Sequence, residues 1–156
     1  DREEFANEER FPEADIVVSE KPENALPNLP INPNTFIVVA TRGHRYDNTA
    51  LLAAAKTPAR YVGLMGSKRK TILIYEDLMR SDLSLDRIRE IRSPIGLDIK
   101  ARTPEEIAIS IMSEVLMFRL GGSGLPMKLN EKQLDRIKKK ISEEDNIFKA
   151  TPIEAV

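Results

Sequence analysis

Thr35-Phe36-Ile37-Val38-Val39-Ala40 contains no alternation: every residue from Phe36 to Ala40 is apolar. A strand with one wet face alternates apolar and polar side chains, whereas a strand covered on both faces of a parallel sheet reads as a continuous run. This stretch is therefore expected to be a buried parallel strand. Arg60-Tyr61-Val62-Gly63-Leu64-Met65 is a second strand of the same kind. Between them Asp47 is placed to cap a helix running to about Lys56, with Leu51, Leu52 and Ala55 on its buried side and Pro58 beyond its end. Strand, helix, strand is the unit that builds a parallel sheet through crossover connections.

The same alternation continues outward. After the second strand Gly66-Ser67 turns the chain, and Ser67 caps a helix to about Arg80 that carries Ile72, Leu73, Tyr75, Leu78 and Met79. Ser84 opens a short helix with Leu85, Ile88 and Ile91 on one side. Ser93 to Ile99 is expected to be extended, because Pro94 biases its neighbour away from the helix. Thr103-Pro104-Glu105-Glu106 is a capping box with proline at the first helical position. The helix it starts runs to Leu120 and stops at Gly121-Gly122. Ile107, Ile109, Ile111, Val115, Leu116 and Phe118 leave it little polar surface, so it is expected to be mostly buried. Asn130 to Gln133 is a second capping box, opening an amphipathic helix with Leu134, Ile137 and Ile141 inside, lysines outside and a tail over the last dozen residues. Upstream, Asp15-Ile16-Val17-Val18-Ser19 reads as a short buried strand, followed by a loop rich in proline and asparagine. Together these elements predict an α/β fold with a three-layer parallel sheet over residues 1–125, and a C-terminal helix and tail over 126–156. There is no internal repeat.

Composition narrows the chemistry. The chain has 156 residues, 41% of them hydrophobic and 31% charged, with a formal net charge of −1, which gives no global basic field for nucleic acid or a membrane surface. The absence of cysteine excludes disulfides, thiolate metal sites and cysteine nucleophiles, and a lone histidine, His44, excludes a histidine-rich zinc site. It is compatible with a cytoplasmic protein. No apolar run approaches the roughly 18–20 residues of a membrane span. The chain opens on Asp1-Arg2-Glu3-Glu4 without an initiator methionine, so we expect it either to begin inside a larger protein or to be a processed or partial chain.

In open parallel sheets ligands sit beyond the carboxyl ends of the strands. Two such ends stand out: Thr41-Arg42-Gly43-His44-Arg45-Tyr46-Asp47, and Gly63-Leu64-Met65-Gly66-Ser67-Lys68-Arg69-Lys70. In the second, three cations crowd the first turn of a helix, the wrong end for positive charge. A bound phosphate would relieve the conflict and use the free N–H groups; the alternative is three solvated cations at an ordinary turn. An unperturbed imidazole changes charge near neutrality, and His44 stands three residues from Asp47, so a histidine–carboxylate pair for proton transfer is one reading. The spacing favours the other, a loop histidine beside a helix cap. Asp98 either contacts a ligand amine or ribose hydroxyl or satisfies donors in a turn. Glu114, on the apolar helix, needs a partner such as an arginine. Gly121-Gly122-Ser123-Gly124 follows a helix, not a strand, and so lacks the context of a dinucleotide fingerprint. Lys138 to Lys140 reads as a solvated helix face. No residue set is assigned catalysis and none a metal.

Several strings occur in one order: Asp1-Arg2 with Arg10-Phe11-Pro12; Thr41-Arg42-Gly43-His44 with Tyr46-Asp47; Tyr61 to Lys70; Pro94-Ile95-Gly96-Leu97-Asp98-Ile99; and Thr103 to Ala108 with Ser110-Ile111. Over about residues 1–125 the chain resembles the C-terminal Rossmann domain of the XdhC/CoxI family, the xanthine dehydrogenase accessory factors. The resemblance implies a maturation factor for a molybdenum hydroxylase of the xanthine dehydrogenase or CO dehydrogenase type. Such a factor binds the molybdenum cofactor (molybdopterin or its dinucleotide), protects it, and aids its sulfuration and insertion. It implies a client enzyme and a cysteine desulfurase as partners. It also implies a nucleotide or pterin-phosphate site drawn from Thr41, Arg42, Gly43, His44, Asp47, Gly63, Gly66, Ser67, Lys68, Arg69, Lys70, Gly96 and Asp98, with Asp1 on a ribose. The chain departs from the family in two ways. The family's first βαβ unit with its glycine-rich loop comes before the position of Asp1; a chain without it is expected to leave a sheet edge through which a homodimer forms. Lys100 stands where a glycine is usual. Two other classes compete: an NAD(P)-dependent oxidoreductase, which needs the glycine fingerprint, and a ligand-free interaction module.

Overall fold

The computed structural model describes residues 2–150. The chain divides into two compact units, one ending at Gly122 and one beginning at Ser123. In the first, helix α1 (Pro22–Ala25) and a single 3-10 turn (Leu26–Asn28) precede strand β1 (Phe36–Val39). Helix α2 (His44–Ala55), strand β2 (Tyr61–Leu64), α3 (Lys68–Met79), α4 (Leu85–Glu90) and α5 (Pro104–Leu120) follow.

β1 and β2 are parallel, in a register that pairs Phe36 with Tyr61 and Val39 with Leu64. A third extended segment continues the sheet beyond β2. Arg92 bridges Gly63 in parallel sense, its N–H donates to the Val62 carbonyl at 2.9 Å, and the Ile95 N–H donates to the Leu64 carbonyl at 3.0 Å. The sheet order is thus β1, β2, then residues 92–95.

The two faces of the sheet bury different partners, because side chains alternate along a strand. Val39, Val62 and Leu64 meet Ala50, Leu51 and Ala54 of α2 and Ile74 and Leu78 of α3 in the main core. On the opposite face Phe36 stacks on Tyr61 with ring centroids 5.6 Å apart, and Phe118 of α5 closes edge-on over Tyr61 at 5.3 Å. Helices on both sides of a parallel sheet give the three expected layers. Arg87 of α4 fastens the α2–β2 connection: its guanidinium donates to the carbonyls of Ala55 (2.9 Å), Thr57 (3.1 Å) and Ala59 (2.9 Å). No local pattern announces that clamp.

Four local expectations differ from the structure. Residues 15–19 form no strand, and Ile16 is 60% exposed; among the described residues nothing pairs with them, and an unpaired strand leaves its backbone groups to water. Helix α2 starts at His44 after Gly43, whose φ of 106° turns the chain, so Asp47 lies in the first turn rather than capping it. Helix α5 is not mostly buried: it inserts Ser110, Ile111, Glu114 and Val115, while Ile109, Met112, Leu116 and Leu120 stay exposed. Glu114 is held by neutral donors rather than by the arginine expected of it: its Oε2 accepts from the Tyr61 hydroxyl at 2.8 Å and the Gly96 N–H at 2.7 Å.

The second unit is helix α6 (Glu131–Ala150) and its lead-in. Its capping box forms as expected, with the Asn130 N–H donating to Gln133 Oε1 and the Gln133 N–H to Asn130 Oδ1. The helix continues through Ala150, into the stretch expected as a tail. Leu134, Ile137 and Ile141, expected inside, are each about half exposed. None of the described helices is long and apolar enough to cross a membrane.

Candidate functional site

The two βα turns singled out in the sequence lie side by side, because β1 and β2 are neighbours in parallel register. One carboxylate ties them together. Asp47 is fully buried. Its Oδ1 accepts from the Thr41 hydroxyl at the end of β1, and its Oδ2 faces the Lys70 ammonium from the first turn of α3. A buried charge is tolerated only when paired and hydrogen-bonded, and here both requirements are met by residues from the two turns. Thr41, Asp47 and Lys70 are therefore an internal fastening whose polar groups face one another.

That fastening changes the charge count at the start of α3. Ser67 caps the helix by accepting from the Lys70 N–H at 3.3 Å. Lys70 is neutralised by Asp47, while Lys68 and Arg69 remain exposed beside the first-turn N–H groups, which have no intrahelical acceptor. Asp98 reaches the same neighbourhood and is exposed. The Lys100 ammonium, 2.7 Å away, holds its carboxyl below the usual carboxylate range, and Lys68 adds to that effect. Lys100 adopts a φ of 60°, a left-handed conformation that favours glycine. A cation at this position therefore carries backbone strain.

The glycines separate by cause. Gly43 needs its positive φ and has open space where a Cβ would stand. Gly66 is also roomy, its nearest neighbour being the Lys70 side chain at 3.6 Å. Gly63 is required by packing, since a Cβ there would lie 2.3 Å from Ile95 Cδ1, and Gly96 by both causes, with a φ of 105° and a Cβ position 2.5 Å from Ser110 Oγ. Asp1 and the His44 side chain lie outside the described residues.

Beyond the end of β1 opens a cleft of about 830 Å³, within the size range of small-molecule sites. Thr41, Arg42 and Tyr46 line it together with Arg2, Phe5, Lys21 and Glu23. The guanidiniums of Arg2, Arg10 and Arg42 lie 4.4, 5.2 and 5.2 Å from the centre of the Phe5 ring, cation–π contacts that hold the N-terminal segment against the turn. Lys21 and Phe5 were not singled out in the sequence, since only folding brings them to Thr41. Arg2 and Arg10 did belong to the strings of the family resemblance.

This is the geometry of a doubly wound α/β domain with its polar turns at the carboxyl ends of parallel strands. A model of the XdhC Rossmann domain matches residues 1–115, and the chain belongs to that family. It is 33% identical over 127 residues to an uncharacterised protein, YqeB, of Escherichia coli (strain K12), covering 80% of this chain and 23% of that protein. It is 31% identical over 109 residues to a probable xanthine dehydrogenase subunit of Bacillus subtilis (strain 168), covering 70% of this chain and 31% of that protein. It is 29% identical over 90 residues to the molybdenum cofactor insertion chaperone PaoD of Escherichia coli (strain K12), covering 58% and 28%. A crystal structure of a xanthine dehydrogenase from Bacillus halodurans superposes with a TM-score of 0.61 at 29% identity, over 74% of this chain and 32% of that one. The chain thus spans between a quarter and a third of the length of most of these relatives, and slightly less of YqeB.

Proposed function

We propose that this domain serves an accessory factor that matures a molybdenum hydroxylase, and that it holds the phosphate end of the molybdenum cofactor, or of its nucleotide, at the turn after β2. The observation that carries this reading is the division of charge at the start of α3. Lys70 is taken up by buried Asp47, and Lys68 and Arg69 are left exposed at a positive helix end with free N–H groups. The cleft beside Thr41 suits the planar part of such a ligand, with the rings of Tyr46 and Phe5 and the cations Arg2, Lys21 and Arg42 on its walls. Gly43 and Gly66 allow close backbone approach, and Asp98, which accepts from the Lys100 N–H and ammonium, would exchange one of these for a ligand amine or hydroxyl.

In this reading the domain binds and delivers, and no side chain is assigned a catalytic step. The partners are a client of the xanthine dehydrogenase or CO dehydrogenase type and a cysteine desulfurase that supplies the sulfur, in the cytoplasm. The relative described as a molybdenum cofactor insertion chaperone supports delivery rather than turnover.

The test is ultrafiltration of the protein with molybdopterin, the retained ligand being released, oxidised and read by its pterin fluorescence. Replacing both Lys68 and Arg69 with alanine is expected to weaken binding by about tenfold or more while leaving the fold intact. Unchanged affinity in the double variant would contradict the anion site.

A further inference from the structure

Helix α5 has two faces of opposite character. Ile111, Glu114 and Val115 are buried against the sheet. On the other side Ile109, Met112, Leu116 and Leu120 are 61, 53, 47 and 75% exposed. Spacings of three and four residues align these four as one stripe along the helix. Exposed charge of opposite sign ends the stripe, with Glu105 in the first turn and Arg119 in the last. Both lie in line with it, equally far from Met112 along the chain.

Such a stripe is complementary to itself. Rotation about a two-fold axis through Met112 sets Ile109 against Leu116 of the second copy and Glu105 against its Arg119, twice over. A parallel arrangement would set like charge on like charge. We propose that α5 is the interface of a homodimer, an antiparallel helix pair centred on Met112. This surface is distinct from the edge of β1, which is unpaired among the described residues, and the proposal does not depend on the ligand reading above. A 17-residue helix is about 25 Å long, so one helix pair falls short of the roughly 800 Å² per partner of a standard interface. The dimer is accordingly a weak one, with a dissociation constant in the micromolar range.

The chain has no cysteine, so a single introduced thiol reports one contact. Met112→Cys is expected to form a covalent dimer on mild oxidation, far faster than Glu76→Cys, an exposed position on α3. In sedimentation velocity across a concentration series, Arg119→Glu should weaken association by about tenfold. The exchange of both charges, Glu105→Lys with Arg119→Glu, should restore it. Circular dichroism confirms that each variant keeps its helices. A monomer at the highest soluble concentration would overturn the proposal. So would a dimer in which Met112→Cys crosslinks no faster than Glu76→Cys, or one that the charge exchange does not restore.

Discussion

Replacing Gly63 with alanine puts a methyl group where β2 meets the third extended segment. The new carbon would lie 2.3 Å from Ile95 Cδ1, 2.8 Å from Ile95 Cγ1 and 3.0 Å from the Tyr61 ring, against about 3.5–4.0 Å for carbon atoms at contact. The tyrosine has little freedom to retreat: its hydroxyl is held by Glu114 and its ring lies against Phe36 and Phe118. Ile95 must change rotamer, or its segment must move away and stretch the bond to the Leu64 carbonyl. Overpacking of this kind costs about 1–3 kcal/mol, and the loss of glycine's freedom in the unfolded chain returns about 0.4–1 kcal/mol. The expected net loss is about 1–2 kcal/mol, seen in urea or thermal melts as a fall in Tm of about 3–8 °C. Ile95→Ala removes both colliding carbons. With only the 3.0 Å contact to the Tyr61 ring left, Gly63→Ala should cost clearly less in the Ile95→Ala background than in the parent, a coupling of about 1 kcal/mol. Strictly additive losses, or no loss from Gly63→Ala, would refute packing as the reason for this glycine and return it to the ligand site.

Other variants test the remaining contacts. Glu114→Ala strands the Tyr61 hydroxyl and the Gly96 N–H and should cost about 3 kcal/mol in a denaturant melt, whereas Glu114→Gln, which keeps an acceptor, should cost about 1 kcal/mol. Arg87→Ala leaves three carbonyls of the α2–β2 connection without their donor and should cost about 2–4 kcal/mol, with faster amide exchange at residues 55–60. Burial, and then the hydrogen bond to Glu114, raises the Tyr61 pKa above its ordinary 10.0. The folded state therefore holds this proton more tightly than the unfolded state, and the associated stability is complete below pH 10 and falls as pH rises above it. Tyr61→Phe should flatten that decline in melts between neutral pH and pH 11.

The parts of the fold that were legible in the sequence are those decided within a few residues. The continuous runs at 36–40 and 60–65 identified the strands. Ser67, Ser84 and Thr103 cap α3, α4 and α5 as their sequences indicate, because a cap is a contact between near neighbours. Gly121 stops α5 with a φ of 74°. What escaped the sequence depends on distant partners. Asp47 read as a helix cap until folding brought Lys70 to it, and the partner of Glu114 is a tyrosine 53 positions away. Helix α5 looked buried because apolar residues circle it, and only the sheet shows which half it uses. The strand expected at 15–19 has the right residues and no neighbour to pair with among those described. For the site, the sequence marked both turns but gave Lys70 the same standing as Lys68 and Arg69. Phe5 and Lys21 carried no signal at all.

The central claim is that this domain carries an anionic pterin or nucleotide. Its most direct test is the intact mass of the protein isolated from its native source under conditions that preserve bound ligands. A mass excess equal to molybdopterin, to its nucleotide form or to a free nucleotide, lost on Lys68→Ala with Arg69→Ala, is the predicted result. A bare chain that also takes up no molybdopterin when it is supplied would contradict the account and leave a domain that acts through protein contacts alone.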